Sequence, residues 1–182
     1  MPEEMFVRQC APTLAGVKTG SLFSCPYDTR EGMTEDVRRL NRVLVPKGLR
    51  LPLRYSEKRV LLYLYRPTEL WRDLNDDKAA EILDAAGYSC TDCDRCVVKL
   101  IQRLRGNKDF PHEIGLFLSY PPEDVKGFID NNAANFKYSG LWKVYGDEKR
   151  AKAMFEKFKK CTDIYCRMWQ AGVSLDRLAV SA

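Results

Sequence analysis

The chain lacks a complete catalytic motif, and its 182 residues include only one histidine. The sequence contains no glycine-rich phosphate loop, no G-x-G-x-x-G fingerprint and no H-E-x-x-H pair. It also has no apolar run long enough to cross a membrane, no internal repeat and no low-complexity segment. These absences exclude the classes defined by those motifs, and they leave open whether the protein is an enzyme.

A secretory signal is missing from the amino terminus. The start, MPEEMFVRQC, is acidic and then mixed, without the basic and apolar regions of a signal peptide. We therefore expect a cytoplasmic protein with no membrane partner. In that compartment the seven cysteines are expected to be reduced, and to serve metal binding, redox chemistry or core packing.

The net charge of +5 is spread unevenly. Residues 30–66 hold ten Lys or Arg against four Asp or Glu, whereas residues 67–94 hold two against eight. A basic segment of this kind can bind phosphates or an acidic partner, in a protein- or RNA-binding module. The alternative is that the two segments neutralise each other on a folded surface, and on that interpretation nucleic acid is an unlikely partner.

Strand-like and helical patterns alternate along the chain. VLLYLY at 60–65 predicts a strand buried on both faces, and the short polar connection before it predicts a hairpin. The predicted fold is a single α/β domain over 1–182, with a mixed sheet that includes an antiparallel hairpin and is covered by helices. Further predictions are an irregular segment at 1–19, strands at 21–25, 49–55, 114–120 and 141–145, and helices at 34–44, 67–88, 92–104 and 148–171.

The segment FPHEIGLFLSYPPEDVKGFIDN at 110–131 is the most informative part of the sequence. It predicts a buried strand that leads into a helix, a connection at which α/β proteins often bind ligands. His112 and Glu113 precede the predicted strand, and Tyr120 ends it. His112 is either a ligand-binding or acid–base residue, or an edge histidine bonded to the backbone.

The cysteines offer weaker candidates. C-x2-C-x2-C at 90–96 has metal-ligand spacing, but the helical periodicity places Cys93 on the apolar stripe. Cys161 and Cys166 flank the apolar stripe of the last predicted helix, where they either pack or meet other thiols. Cys10 lies in the segment predicted to be irregular, which would make it the most accessible nucleophile, with His112 as its base.

Trp142 belongs to the predicted last strand, between Gly140 and Gly146. With Tyr138, Lys143 and Tyr145 it forms either an aromatic wall for a flat ligand or ordinary sheet packing.

Five segments carry a resemblance to a known family. They are CAPTLAGVKTGSLFSC at 10–25, LNRVLVPKGLRL at 40–51, the 110–131 segment, WKVYGDEKRAKAMFEKFKKCTDIYCR at 142–167 and LDRLAV at 175–180. In this order they resemble the bacterial domain-of-unknown-function 3793 family, which implies a single-domain cytoplasmic protein of unnamed activity. The resemblance also implies genes beside those for flavodoxin and iron uptake.

Three functions are therefore kept as hypotheses. The first is an accessory binding protein in iron or thiol redox metabolism, with a redox protein or a small molecule as partner. Its candidate residues are Cys10, His112, Glu113, Tyr120, Trp142, Cys161 and Cys166. The second is a small-molecule transferase-like enzyme, and the third is the basic-face binding module; the cofactor is unknown for all three.

Overall fold

A three-stranded antiparallel sheet forms around the apolar strand β3 (Arg59–Tyr65) in the computed structural model, which describes residues 1–88, 92–104 and 110–181. β3 pairs with β1 (Gly20–Pro26) on one side and with β2 (Leu53–Tyr55) on the other. The central position explains why β3 is almost entirely apolar, since both of its edges and both of its faces are covered. The predicted hairpin is confirmed.

Helix α1 (Glu3–Leu14) corrects the expectation of an irregular amino-terminal segment. Its residues Phe6, Val7, Cys10 and Leu14 recur at helical spacing and are fully buried. Pro12 falls in the last turn of α1, where a proline interrupts little of the helix. The proline and the glycine that follows therefore mark the end of a helix.

Helix α2 (Arg30–Leu44) confirms the predicted helix and starts four residues earlier. The cap is Thr29, whose hydroxyl accepts a hydrogen bond from the backbone of Gly32 at 3.1 Å. Thr34, where the predicted helix begins, lies inside the observed one and donates to the carbonyl of Arg30 at 2.7 Å.

A buried arginine joins three parts of the first compact unit of the chain, Met1–Pro67 with Phe158–Ala182 (unit 1). The Arg66 guanidinium is 2% exposed and donates to the carbonyls of Thr13, Leu14 and Val180 at 2.7–2.9 Å. α1 has no basic residue in its last turn, so Arg66 supplies the cation that the carboxyl end of a helix favours.

The second compact unit is Thr68–Lys157 (unit 2). The helical pattern at 67–88 forms two helices, because Asp76 caps a new one by accepting from the backbone of Lys78 and Ala79. A two-stranded antiparallel hairpin lies in the same unit.

The remaining α-helices and strands of the described chain, taken over both units, are α3 (Pro67–Leu74), α4 (Asp77–Ala85), α5 (Cys93–Arg103), α6 (Ile114–Phe117), α7 (Pro122–Asp130), β4 (Tyr138–Ser139), β5 (Lys143–Val144), α8 (Glu148–Gln170) and α9 (Leu175–Leu178).

The strand predicted at 114–120 is wrong. Residues 114–117 form the short helix α6, and Ser119, at φ 61°, turns the chain so that the backbone of Tyr120 donates to Gly115. A Cβ on Gly115 would come within 2.7 Å of the Val125 side chain, so only glycine permits this packing. A buried apolar run of this length does not by itself distinguish a strand from a helix.

The α/β class is confirmed, with helices and two small sheets. Every strand pair among the described residues is antiparallel, because the strand that would have made the sheet mixed is a helix. The organisation of 1–182 as one domain stays a prediction. Within the described part of the chain, no helix is both long enough and apolar enough to span a membrane.

Replacing Arg66 by methionine should destabilise unit 1 strongly. The substitution removes three hydrogen bonds to carbonyl groups in a buried position, and we expect the free energy of unfolding in urea to fall by about 3 kcal/mol. Arg8→Met is the matched control, because Arg8 is exposed and pairs with Glu4 on the same helix. The control should change the free energy by less than about 0.5 kcal/mol. Similar values for the two variants would contradict the role given to Arg66.

Candidate functional site

A cavity of about 670 Å³ opens in unit 2 beside helices α4 and α7, which contact each other. This volume falls in the range of pockets that hold small molecules. Its lining combines an apolar wall from α4 and α7 with charged groups from α4, α5, α7 and the segment before α6. The lining residues are Glu81, Ile82, Ala85, Ala86, Arg103, Phe110, His112, Glu113, Lys126, Ile129, Asp130 and Asn132.

The inner wall of the cavity is built on the buried carboxylate of Glu113, which is 3% exposed. The Tyr88 hydroxyl donates to its Oε1 at 3.0 Å, and Arg103 Nε donates to the same oxygen at 2.7 Å. Arg103 also donates from a terminal nitrogen to the carbonyl of Ala86 at 3.2 Å. Burial, followed by the charge of Glu113, raises the pKa of the Tyr88 phenol. The phenol therefore remains a hydrogen-bond donor to Glu113.

An aromatic lip borders the cavity. The His112 ring lies 5.7 Å from the Phe110 ring and 5.0 Å from the Phe128 ring, measured between centroids. Phe110 is 59% exposed, although it is a large apolar residue. Exposed aromatic surface beside a concave site is typical of ligand-binding regions. The prediction that His112 and Glu113 have a functional role is consistent with their position but is not tested by it.

The end of α7 adds strained backbone next to the cavity. Asn132 and Ala133 follow that helix with φ of 48° and 64°, in the left-handed region. Asparagine adopts this region readily at the end of a helix, whereas alanine rarely does, so the strain falls on Ala133. The Ala133 carbonyl accepts from Lys143 Nζ at 2.7 Å, which helps to hold this conformation. Strained positions of this kind cluster at functional sites.

Tyr120 and Trp142 pack together away from the cavity lining. Their rings stack at 4.5 Å, and Phe155 meets Trp142 edge-on at 4.4 Å. Trp142 Nε1 donates to the buried carboxylate of Asp124 at 2.7 Å, and the same carboxylate accepts from the backbone of Tyr145 and Gly146. These contacts favour the packing interpretation of Trp142 over the ligand wall.

The candidate thiols Cys10, Cys161 and Cys166 belong to unit 1, whereas His112, Glu113, Tyr120 and Trp142 belong to unit 2. Cys10 lies on α1 and is fully buried, so the expectation that it is the accessible thiol is wrong. Burial also raises the pKa of its thiol, which opposes formation of a nucleophilic thiolate. Cys161 and Cys166 lie half-buried on α8.

The cysteines of α5 follow the packing interpretation. Cys93 and Cys96 are buried with Val97 and Leu100 on one face, and Cys90 lies outside the described residues. Cys93 is a free thiol and Cys96 is disulfide-bonded, so the expectation of reduced thiols fails at Cys96. Among the described residues, no group of three or more His, Cys, Asp or Glu side chains is arranged to hold a metal ion.

The basic segment does not present a free array of arginines. Arg38 and Arg42 pair with Glu35, and Arg39 pairs with Glu3 and Asp36. These ion pairs use acids of α1 and of α2 itself, and not the acidic 67–94 segment that the alternative interpretation expected to neutralise the basic one.

Sequence patterns missed the residues that shape the cavity. Glu81, Arg103 and Lys126 lie on the polar faces of amphipathic helices, where charged residues normally meet solvent. Tyr88 follows the glycine that ends α4, and no motif connects it with Glu113, 25 residues later. Of the lining residues, only His112 and Glu113 were candidates from the sequence.

Fold and site together define an α/β protein with a cavity of small-molecule size in one of its two compact units. The chain belongs to the family described as "Protein of unknown function (DUF3793)", whose model matches residues 6–179. This match confirms the resemblance seen in the sequence. Comparisons with curated proteins and with solved structures found no match.

Lys18, beside the candidate thiol Cys10, should make stability depend on pH. Burial lowers the pKa of Lys18 from 10.5 to about 8. Below pH 8 the Lys18 amine is protonated in both the folded and the unfolded chain, and the folded chain is destabilised because it holds this charge in a buried position. Between pH 8 and 10.5 only the unfolded chain keeps the proton, so the Lys18 contribution to the free energy of unfolding rises with pH.

The measurement is urea unfolding of the wild type and of Lys18→Met across this pH range. The stability of the variant relative to the wild type should fall by about 2 kcal/mol as the pH rises through the window. Lys159→Met, at an exposed lysine of the same unit, should show no such trend. A difference in unfolding free energy between Lys18→Met and the wild type that does not change with pH would show that folding leaves the pKa of Lys18 unchanged.

Proposed function

We propose that this protein is a small-molecule binding protein whose ligand occupies the cavity of unit 2. The observation that carries the proposal is the cavity itself, with its volume of about 670 Å³ and its combination of apolar and charged walls. Pockets of this composition bury the body of a ligand against apolar side chains and orient it through a few polar groups.

Two further features support binding at this place. The Glu113 carboxylate is fixed by Tyr88 and Arg103, so its position does not have to be organised when a ligand arrives. Ala133, whose backbone is strained, directly follows the lining residue Asn132, and strain of this kind clusters at functional sites.

Filling the cavity should abolish binding. Ala85 lines the cavity from the exposed side of α4, so Ala85→Trp introduces an indole into the ligand space without disturbing a buried position. Saturation-transfer NMR with a mixture of small aromatic and aliphatic compounds of both charges should give hits with the wild type that this variant loses.

Ala153→Trp is the matched control for that experiment. Ala153 is exposed on α8 in the same unit and lies outside the cavity lining, so the control should keep the hits. Hits that survive Ala85→Trp, or a wild-type protein without any hit, would contradict the proposal.

The more specific form of the function is an accessory binding protein in cytoplasmic iron or thiol redox metabolism. It is supported by the half-buried positions of Cys161 and Cys166, which leave part of each residue exposed to solvent. A transferase-like reaction remains the alternative prediction, now for the cavity instead of a strand end.

The accessibility of the thiols tests the proposed role in iron or thiol redox metabolism. In the native protein, Cys161 and Cys166 should react with a small disulfide reagent at least about ten-fold faster than Cys10, because a buried thiol with a raised pKa is unreactive. Mass spectrometry of the modified peptides would measure the rates, alongside metal analysis of protein purified without oxygen. Slow reaction at all three thiols, with no bound iron, would remove the support for a redox role.

A further inference from the structure

We infer that the cavity selects a small organic cation, an amine attached to a flat apolar body; this inference rests on the proposed binding function. The first step is the charge of the described lining. Glu81, Glu113 and Asp130 supply three carboxylates against the two cations of Arg103 and Lys126. Among Asp, Glu, Lys and Arg, the described lining therefore has an excess of one negative charge.

The second step is how these charges are already used. Arg103 is bonded to Glu113 at 2.7 Å, and Lys126 pairs with Asp130 at 3.4 Å. Both cations of the described lining thus have a carboxylate partner, and Glu81 is the excess acid. An anionic ligand would share a cation with Glu113 or Asp130, whereas a cationic ligand meets Glu81, which forms no ion pair among the described residues.

The third step is that the Glu113 carboxylate can accept further hydrogen bonds. Both of its hydrogen bonds to side chains, from Tyr88 and Arg103, fall on Oε1. Its Oε2 accepts no hydrogen bond from the described residues, and Glu113 lines the cavity. A carboxylate oxygen at a sheltered cavity wall is a strong acceptor for an ammonium group, because charge-assisted hydrogen bonds gain strength away from water.

The fourth step is the shape and chemistry of the remaining lining. Ile82, Ala85 and Ile129 offer an apolar surface for the body of a ligand, and the exposed ring of Phe110 lies at the lip. Aromatic faces attract cations as well as flat rings. An amine with a compact aromatic or aliphatic body satisfies the acidic and apolar walls together.

Three probes with nearly the same body separate charge from shape: 2-phenylethylamine, 2-phenylethanol and 3-phenylpropionate. Affinities would be measured by ligand-observed NMR titration above neutral pH, where histidine is uncharged. We expect the amine to bind about ten-fold more tightly than the alcohol and the acid to bind most weakly. Glu81→Gln should reduce the preference for the amine over the alcohol to about three-fold or less.

Glu156→Gln is the control, since Glu156 is an exposed acid of unit 2 outside the cavity lining, and it should leave the preference unchanged. Equal or tighter binding of the alcohol or the acid would overturn the ligand class, as would a preference that survives Glu81→Gln or an amine that does not bind. The cavity function is judged separately, by the loss of mixed-library hits in Ala85→Trp. An acid that binds and is lost in Ala85→Trp would leave that function standing while overturning the amine.

Discussion

Unit 2 depends on one constraint: the negative charge of the buried Glu113 carboxylate must be balanced by hydrogen-bond donors. A carboxylate that is 3% exposed requires partners, and it takes them from the chain before α5 and from the last turn of α5. Tyr88 and Arg103 are thereby fixed against the start of α6. The cavity lies beside this cluster, so its wall includes charged groups that are held in place by hydrogen bonds.

Unit 1 meets a similar constraint with the opposite charge. Arg66 is buried among carbonyl groups, and its three hydrogen bonds connect the end of α1 with Val180 near the carboxyl end of the chain. In both units a buried ionic group connects segments that are distant in sequence. The difference is that Arg66 serves the interior of a sheet-and-helix core, whereas Glu113 lines a space large enough for a ligand.

Local patterns predicted those elements that depend on local periodicity. The β2–β3 hairpin, α2, α5 and α8 follow from alternation and from helical stripes. The failure at α6 arises where two structures satisfy the same apolar run, and there the contact of Gly115 with Val125 decides between them. The failure at α1 has another cause, since Pro12 and Gly16 mark the end of a helix and not an irregular segment. Of the cavity lining, the sequence predicted only His112 and Glu113, because the pairing of Glu113 with Arg103 and Tyr88 is not encoded by any spacing.

His112 provides the most direct test of the central claim, that the cavity of unit 2 binds an amine. It is the only histidine of the chain and lies in the cavity lining, so protein labelled at histidine gives one set of imidazole resonances from this position. The measurement is a titration of that labelled protein with 2-phenylethylamine, followed by NMR. The account predicts a saturable shift of the His112 resonances; resonances that do not move at millimolar amine would contradict it.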